Sequence, residues 1–145
     1  MKISTTIIIN KPVQQVWEYF DNPDNMVNWL TGFKKWEHLT GEKGEIGAKA
    51  KQYYDNRGRE IVMIEEITEK EPYKRFAGTL THHSMDGVIE ANFTDLGDGT
   101  TQLESINDTK FKMFALQVLS PFLKKSFQKR QDSDLAKLKE LIEAQ

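Results

Sequence analysis

Between Phe33 and about Lys110, short runs rich in β-branched and aromatic residues alternate with clusters of residues that turn a chain. Gly41, Gly44 and Gly47 break the chain after Phe33–Leu39, and Asp55-Asn56-Arg57-Gly58 separates Ala48–Tyr54 from Glu60–Ile67. Glu71-Pro72 precedes Tyr73–Thr81, and Asp95-Leu96-Gly97-Asp98-Gly99 leads from Val88–Leu96 into Thr100–Asn107. Asn, Asp and Gly accept the backbone conformations that tight hairpins need. Consecutive hairpins of this kind make an antiparallel meander.

Helices flank this meander. The β-branched run Thr5-Thr6-Ile7-Ile8-Ile9 predicts a first strand over Lys2–Ile9. Pro12 suits a first helical turn, with Asn10 or Lys11 expected as the cap. Val13, Val16, Trp17 and Phe20 then form one apolar helical face. Asp21-Asn22-Pro23 ends that helix and starts a second, with Asn22 as cap, Met26, Trp29 and Leu30 inside, and Thr31-Gly32 as the stop. From Phe114 to Ala144, Leu116, Leu119, Leu123, Phe127, Leu135, Leu138 and Ile142 trace one stripe of a long helix. Pro121 falls inside it and predicts a kink or a late start. No repeat or linker interrupts the pattern, so residues 1–145 are expected to form a single domain.

Composition narrows the function. Cysteine is absent, which excludes a disulfide scaffold, thiol catalysis and cysteine-ligated metal centres. With three histidines, two of them adjacent, no metal site is expected. Twenty basic against 22 acidic side chains argue against a globally basic nucleic-acid binder. No apolar stretch approaches the ~18 residues of a membrane span, and no signal peptide is evident, so the expected location is the cytoplasm. Nucleotide-binding glycine motifs and serine or zinc hydrolase signatures are missing, and no cofactor is expected.

Several segments carry a family resemblance. Ile7-Ile8-Ile9-Asn10-Lys11-Pro12-Val13-Gln14-Gln15-Val16-Trp17 resembles the opening of the START-like, pollen-allergen-like superfamily, also called SRPBCC or polyketide cyclase/dehydrase-like. Asn22-Pro23-Asp24-Asn25-Met26-Val27-Asn28-Trp29 resembles its second helix. Gly41-Glu42-Lys43-Gly44-Glu45-Ile46-Gly47 and Gly97-Asp98-Gly99-Thr100-Thr101 resemble its characteristic turns, and Leu135-Ala136-Lys137-Leu138-Lys139-Glu140-Leu141-Ile142-Glu143 its terminal helix. The resemblance implies an α+β helix-grip fold, in which a curved antiparallel sheet wraps a long C-terminal helix around an elongated apolar cavity. Members bind sterols, lipids, hormones or polyketides, and some cyclise or dehydrate polyketides. The superfamily shares no catalytic motif, so no catalytic residue is assigned.

Under that reading Trp29, Phe33, Trp36, Tyr53, Met63, Phe76, Phe93, Phe111, Met113, Phe114, Val118 and Phe122 are the candidate cavity lining, although aromatic and Met side chains also serve simply as core filler. His82 and His83 flank a turn, and successive strand residues face opposite ways, so only one could point inward; an exposed loop pair is the plainer reading. His38 is expected on the surface. Glu65 and Glu66 are consecutive in an apolar strand, so one should face inward, where a raised pKa would suit an acid; a solvated glutamate is the alternative. Glu90 is weighed in the same way, and Tyr53 and Tyr54 also split between faces. Residues 110–145 carry eight basic and four acidic side chains, with Lys110, Lys112, Lys124, Lys125, Lys129 and Arg130 unopposed until Asp132. That is either a solvated helix face or a patch for anionic headgroups or an acidic partner.

The expected function is binding of a small hydrophobic or amphipathic molecule, as a monomer or homodimer, with transient membrane contact but no stable insertion and no nucleic acid. The alternatives are a cyclase- or dehydratase-like enzyme using His82 or His83, Glu65 or Tyr53, and a protein-interaction module with a collapsed cavity.

Overall fold

Each hairpin signal becomes a strand pair. In the computed structural model, which describes residues 1–145, seven strands form one antiparallel sheet in the order β1-β7-β6-β5-β4-β3-β2. They are β1 (Lys2–Ile9), β2 (Phe33–Thr40), β3 (Lys49–Asn56), β4 (Arg59–Glu71), β5 (Arg75–His82), β6 (Met85–Asp95) and β7 (Thr101–Phe111). Helix α1 (Val13–Asp21), a 3-10 turn at Pro23–Asn25 and the short α2 (Met26–Trp29) lie between β1 and β2. The long α3 (Phe114–Glu143) closes the chain. This is the helix-grip architecture that the resemblance implied. No helix is long and apolar enough to cross a membrane.

Local chemistry accounts for the boundaries. Arg57 and Gly58 both have positive φ, 53° and 85°, as a two-residue β3–β4 hairpin requires, and the Asp55 carboxylate accepts from the Gly58 N–H at 3.0 Å. Asn22 caps the 3-10 turn by accepting from the Asp24 N–H. The cap of α1 differs from expectation: it is Pro12, not Asn10 or Lys11, and no side chain caps it. Pro12 sits at φ −61°, ψ 150°, and its carbonyl accepts from the N–H groups of Gln15 and Val16. The proline ring thus presets the chain's entry into the helix. Pro121 does not delay α3, which runs continuously from Phe114.

Alternation divides the sheet into two faces. Ala91, Phe93 and Leu103 pack with Leu135, Leu138 and Ile142 of α3 and with Ile9, Val13, Val16 and Trp17. That cluster fixes the inward phase of β6, β7 and β1, and the strand register carries it across the sheet. Leu80 pairs with Gly87 and with Glu65, Ala50 pairs with Glu65, and Trp36 pairs with Gln52. Bulges between Phe33 and Lys35, His38 and Thr40, and Ile67 and Glu69 bend the far strands. The core therefore sits at the β1–β7–β6 end, beneath the C-terminal half of α3.

Trp17 is the centre of this core. Its ring meets Phe93 edge-on at 5.1 Å and Tyr73 at 6.3 Å, and it is 4% exposed. Trp17→Ala is expected to cost about 3–5 kcal/mol in urea unfolding, whereas Val88→Ala on the solvent face should stay within about 0.5 kcal/mol. A loss below about 1 kcal/mol for Trp17→Ala would place the core elsewhere.

Candidate functional site

The concave face continues beyond the packed core toward β2, and there its apolar residues are only partly covered. Ile61 and Met63 of β4, Leu80 of β5 and Ile89 of β6 share that face and are half-buried. Gly78 and Gly87 lie among them. At Gly78 a Cβ would come within 2.9 Å of the Glu66 carbonyl, so the close approach of β4 demands glycine. Gly87 is different: a Cβ there would meet nothing nearer than Leu80 at 3.8 Å. The middle of the concave face is thus a trough in which two glycines lie among half-buried apolar side chains.

A polar chain lies at the β3 side of this trough. Ala48 and Ala50 are buried and set the phase of β3, so Gln52 and Tyr54 also point inward. The Tyr54 hydroxyl donates to Gln52 Oε1 at 2.8 Å, and Gln52 Nε2 donates to Glu65 Oε2 at 2.8 Å. Gln52 is 1% exposed and Glu65 9%. Burial raises the Glu65 pKa above the ordinary carboxylate value, and hydrogen bonds from Trp36 and Gln52 offset only part of that rise. Burial also raises the Tyr54 pKa, reinforced by the charges of Glu65 and Asp134 and opposed by Arg130. Tyr54 is therefore a neutral donor. Phe33 packs edge-on against its ring at 5.3 Å.

Asp134 brings α3 to the same region. Its Oδ1 accepts from the Thr31 N–H at 3.1 Å and from the Thr31 hydroxyl, which ties the helix to the end of α2. Burial raises its pKa, again against those hydrogen bonds and the Arg130 charge. The Trp29 indole N–H is buried without a protein partner, and its ring lies 6.1 Å from Phe20.

The candidate lining residues fall into several groups. Trp36 and Met63 face the trough, with Phe33 at its β2 rim beside Tyr54. Phe93 belongs to the packed core, while Phe76 and Trp29 flank it against Phe20. Phe111 is buried against Phe127 at 6.1 Å. Tyr53 lies on the convex face, where Lys35 stands over its ring at 5.3 Å, and Tyr54 takes the inward position. Met113, Phe114, Val118 and Phe122 do not close the trough from above: they are exposed by 52%, 79%, 57% and 79%. Helical rotation of about 100° per residue places Phe114, Val118 and Phe122 on the side opposite the half-buried Leu116, Leu123 and Phe127.

Of the paired candidates, Glu65 is inward, whereas Glu66 is on the solvent face in an ion pair with Lys49 at 3.5 Å. His82 and His83 stack at the β5–β6 hairpin with ring centroids 4.1 Å apart. His82 Nδ1 accepts from the Ser84 N–H at 3.2 Å, and burial holds its pKa below the usual value. Neither histidine joins the polar chain. Both border an open depression of about 540 Å³ with Glu60, Val62, Ile64, Thr81 and Lys112. Another of about 480 Å³ lies among Lys34, Lys35, Tyr53, Tyr54, Asp55, Gly58 and Glu60. With two hydrophobic residues each, these depressions suit an apolar molecule less well than the trough does.

Gln52, Thr31 and Asp134 do not stand out in the sequence, and Tyr54 does so only as the alternative to Tyr53. The alternation Ala48, Ala50, Gln52, Tyr54 is the signal for the two β3 residues. Asp134 lies four residues before Leu138 on the apolar stripe of α3, which is the signal for that carboxylate.

A family model described as "Polyketide cyclase / dehydrase and lipid transport" matches residues 1–143. Among solved structures, TTHA0849 from Thermus thermophilus is similar at 15% identity and a TM-score of 0.81, over 99% of this chain and 98% of that one. Zhui aromatase/cyclase from Streptomyces sp. R1128 is similar at 14% identity and a TM-score of 0.81, over 99% and 93%. Ara h 8.0201 is similar at 10% identity and a TM-score of 0.80, over 100% and 99%. These likenesses establish the shared fold. No curated protein matches the sequence.

Burial of Glu65 makes stability depend on pH. A carboxyl whose folded pKa is raised binds its proton more tightly in the folded state. Its contribution is favourable below the unfolded value near 4.5 and is lost as pH rises through the folded pKa. Glu65→Gln keeps an acceptor for Gln52 but removes the charge. The variant should gain stability relative to the parent as pH climbs from 4 to 8, read as a rising difference in Tm. A constant difference would show an unshifted carboxyl and a falling one a carboxylate stabilised as the anion, and either would refute the raised pKa.

Proposed function

The chain belongs to the polyketide cyclase / dehydrase and lipid transport family, and on that premise we propose that it binds a small hydrophobic or amphipathic molecule in the trough between sheet and C-terminal helix. The observation that carries this reading is the set of half-buried apolar side chains Met63, Leu80 and Ile89 around Gly87, where a Cβ would fit in ordinary contact with its neighbours. A folded chain gains by covering apolar surface at roughly 25 cal/mol per Å². Side chains left half-covered around a space wide enough for another atom offer that gain to a ligand instead.

The polar chain would orient the molecule. Apolar contact with Met63, Leu80, Ile89, Trp36 and Phe33 supplies affinity without direction. The Glu65 carboxyl and the Tyr54–Gln52 pair would receive one polar group, such as a hydroxyl, at the β3 wall. The proposed unit is residues 1–145 acting as one cytoplasmic domain, and it calls on no cofactor.

A second reading, a cyclase- or dehydratase-like enzyme, is favoured by one specific observation: a buried glutamate with a raised pKa beside an open apolar space. Such a group could give a proton to a carbonyl or a departing hydroxyl. The histidines, at the hairpin tip, have no place in that chemistry.

Gly87→Phe separates the trough from the rest of the molecule. No positive φ constrains Gly87, so a side chain is admissible there, and it would project onto the concave face beside Leu80. An apolar fluorescent probe should bind the parent protein at one saturable site and bind Gly87→Phe at least about tenfold more weakly. Val88→Phe, on the opposite face, should bind as the parent does. Equal binding by all three proteins would refute the trough as the site. Under the enzymatic reading, Glu65→Gln abolishes turnover of a bound polyketide-like substrate while leaving its affinity within about threefold.

A further inference from the structure

The surface of α3 turned away from the sheet carries an apolar stripe that the trough does not use. Phe114, Val118 and Phe122 follow one another at spacings of four, so they drift by only about 40° per step on one side of the helix. Both phenylalanines are 79% exposed, and Leu119 beside them is 47% exposed. On the same side, Lys125 and Lys129 extend the line, and neither is in an ion pair. Between Lys110 and Gln131 the chain has no acidic residue.

We propose that this stripe docks the protein on the surface of an anionic lipid bilayer. The two phenylalanines would enter the interface as shallow apolar anchors, and the lysines would meet the headgroup charge. Aromatic and aliphatic residues on one side of a helix with lysines bordering them form the pattern of an interfacial helix. The charge attraction is sequence-tolerant and falls away within a Debye length.

Charge argues against the other occupants. A second copy packed two-fold on this stripe would bring lysine-rich segments together with no carboxylate between Lys110 and Gln131 to offset them. A soluble acidic protein would match the lysines but would have to bury two phenylalanines in a groove of its own.

The first half of α3 also receives little from its own fold. Met113 caps it without a side-chain hydrogen bond, Pro121 removes one backbone N–H, and the inward residues Leu116, Leu123 and Phe127 are only half-buried. An exposed amphipathic segment with so little internal support gains order from an external apolar phase. This inference stands apart from the trough: the stripe is on the other side of the helix, and it would dock whether or not the cavity holds a ligand.

Flotation with vesicles tests it. The parent protein should rise with vesicles of phosphatidylcholine and phosphatidylglycerol at 3:1 and remain below with phosphatidylcholine alone. Binding should fall at least about tenfold when salt is raised to 0.5 M. Phe114→Ser with Phe122→Ser should reduce binding at least about tenfold, and so should Lys125→Glu with Lys129→Glu. These residues are exposed, so circular dichroism and thermal midpoint should remain those of the parent. Equal flotation with neutral and anionic vesicles overturns the proposal, as does flotation unchanged by both double variants. No flotation, together with a concentration-dependent dimer that Phe114→Ser/Phe122→Ser abolishes, would assign the stripe to self-association and overturn it as well.

Discussion

The structure depends on how the C-terminal half of α3 seats against the edge strand β1. Leu138 and Ile142 are fully buried with Ile9, Val16 and Leu103, and truncating a side chain in such a cluster typically costs ~2–5 kcal/mol. Polar contacts run alongside. Gln128 donates to the Ser4 carbonyl at 3.0 Å, Lys139 to the Ile8 carbonyl, and the Asn10 N–H donates to the Glu143 carboxylate at 2.8 Å. An open sheet edge presents unpaired backbone groups that invite another chain. Here the helix satisfies several of them while burying the core. The opposite edge, β2, is protected differently, by two bulges and by Lys34 and Lys35.

That anchoring makes the molecule unequal along α3. Where the helix is held, the concave face is filled. Toward its N-terminus the inward side chains are half-covered, and the sheet beneath bears Gly78 and Gly87 in place of larger residues. Closing the trough would need bulk at those positions, but the approach of β4 forbids it at Gly78. Thr31 and Asp134 fasten the middle of this arrangement, linking α2 to the helix beside the polar chain.

Most of the fold is legible in the sequence because its signals are local. Hairpins announce themselves through Asn56-Arg57-Gly58 and Gly97-Asp98-Gly99, and α1 through Val13, Val16 and Trp17. The site is less legible because it depends on phase. Whether Tyr53 or Tyr54 points inward is decided by alignment with Ala48 and Ala50, and a bulge at either end of β2 shifts that alignment for its neighbours. The helix poses a related problem. Phe114, Val118 and Phe122 are apolar at helical spacing, and so are Leu116, Leu123 and Phe127. A helix apolar on two sides does not say from sequence which side meets the sheet; the well-packed Leu135, Leu138 and Ile142, read backwards along the rotation, decide it. Asp134 is a charge on an apolar stripe, and it reads as noise until the fold sets Thr31 beside it.

The polar chain is harder to explain as packing than as recognition. Placing Gln52, Glu65 and Tyr54 in a buried wall costs desolvation, which their mutual hydrogen bonds recover only in part. Apolar residues of similar volume would have stabilised the same wall more simply. The raised pKa of Glu65 is that unrecovered cost expressed as proton affinity. What the cost provides is a carboxyl group held in place by Gln52, whose own orientation is fixed by the Tyr54 hydroxyl. A trough with only Met63, Leu80 and Ile89 would accept an apolar molecule in any orientation. One fixed polar group on one wall is enough to make the two ends of that molecule inequivalent.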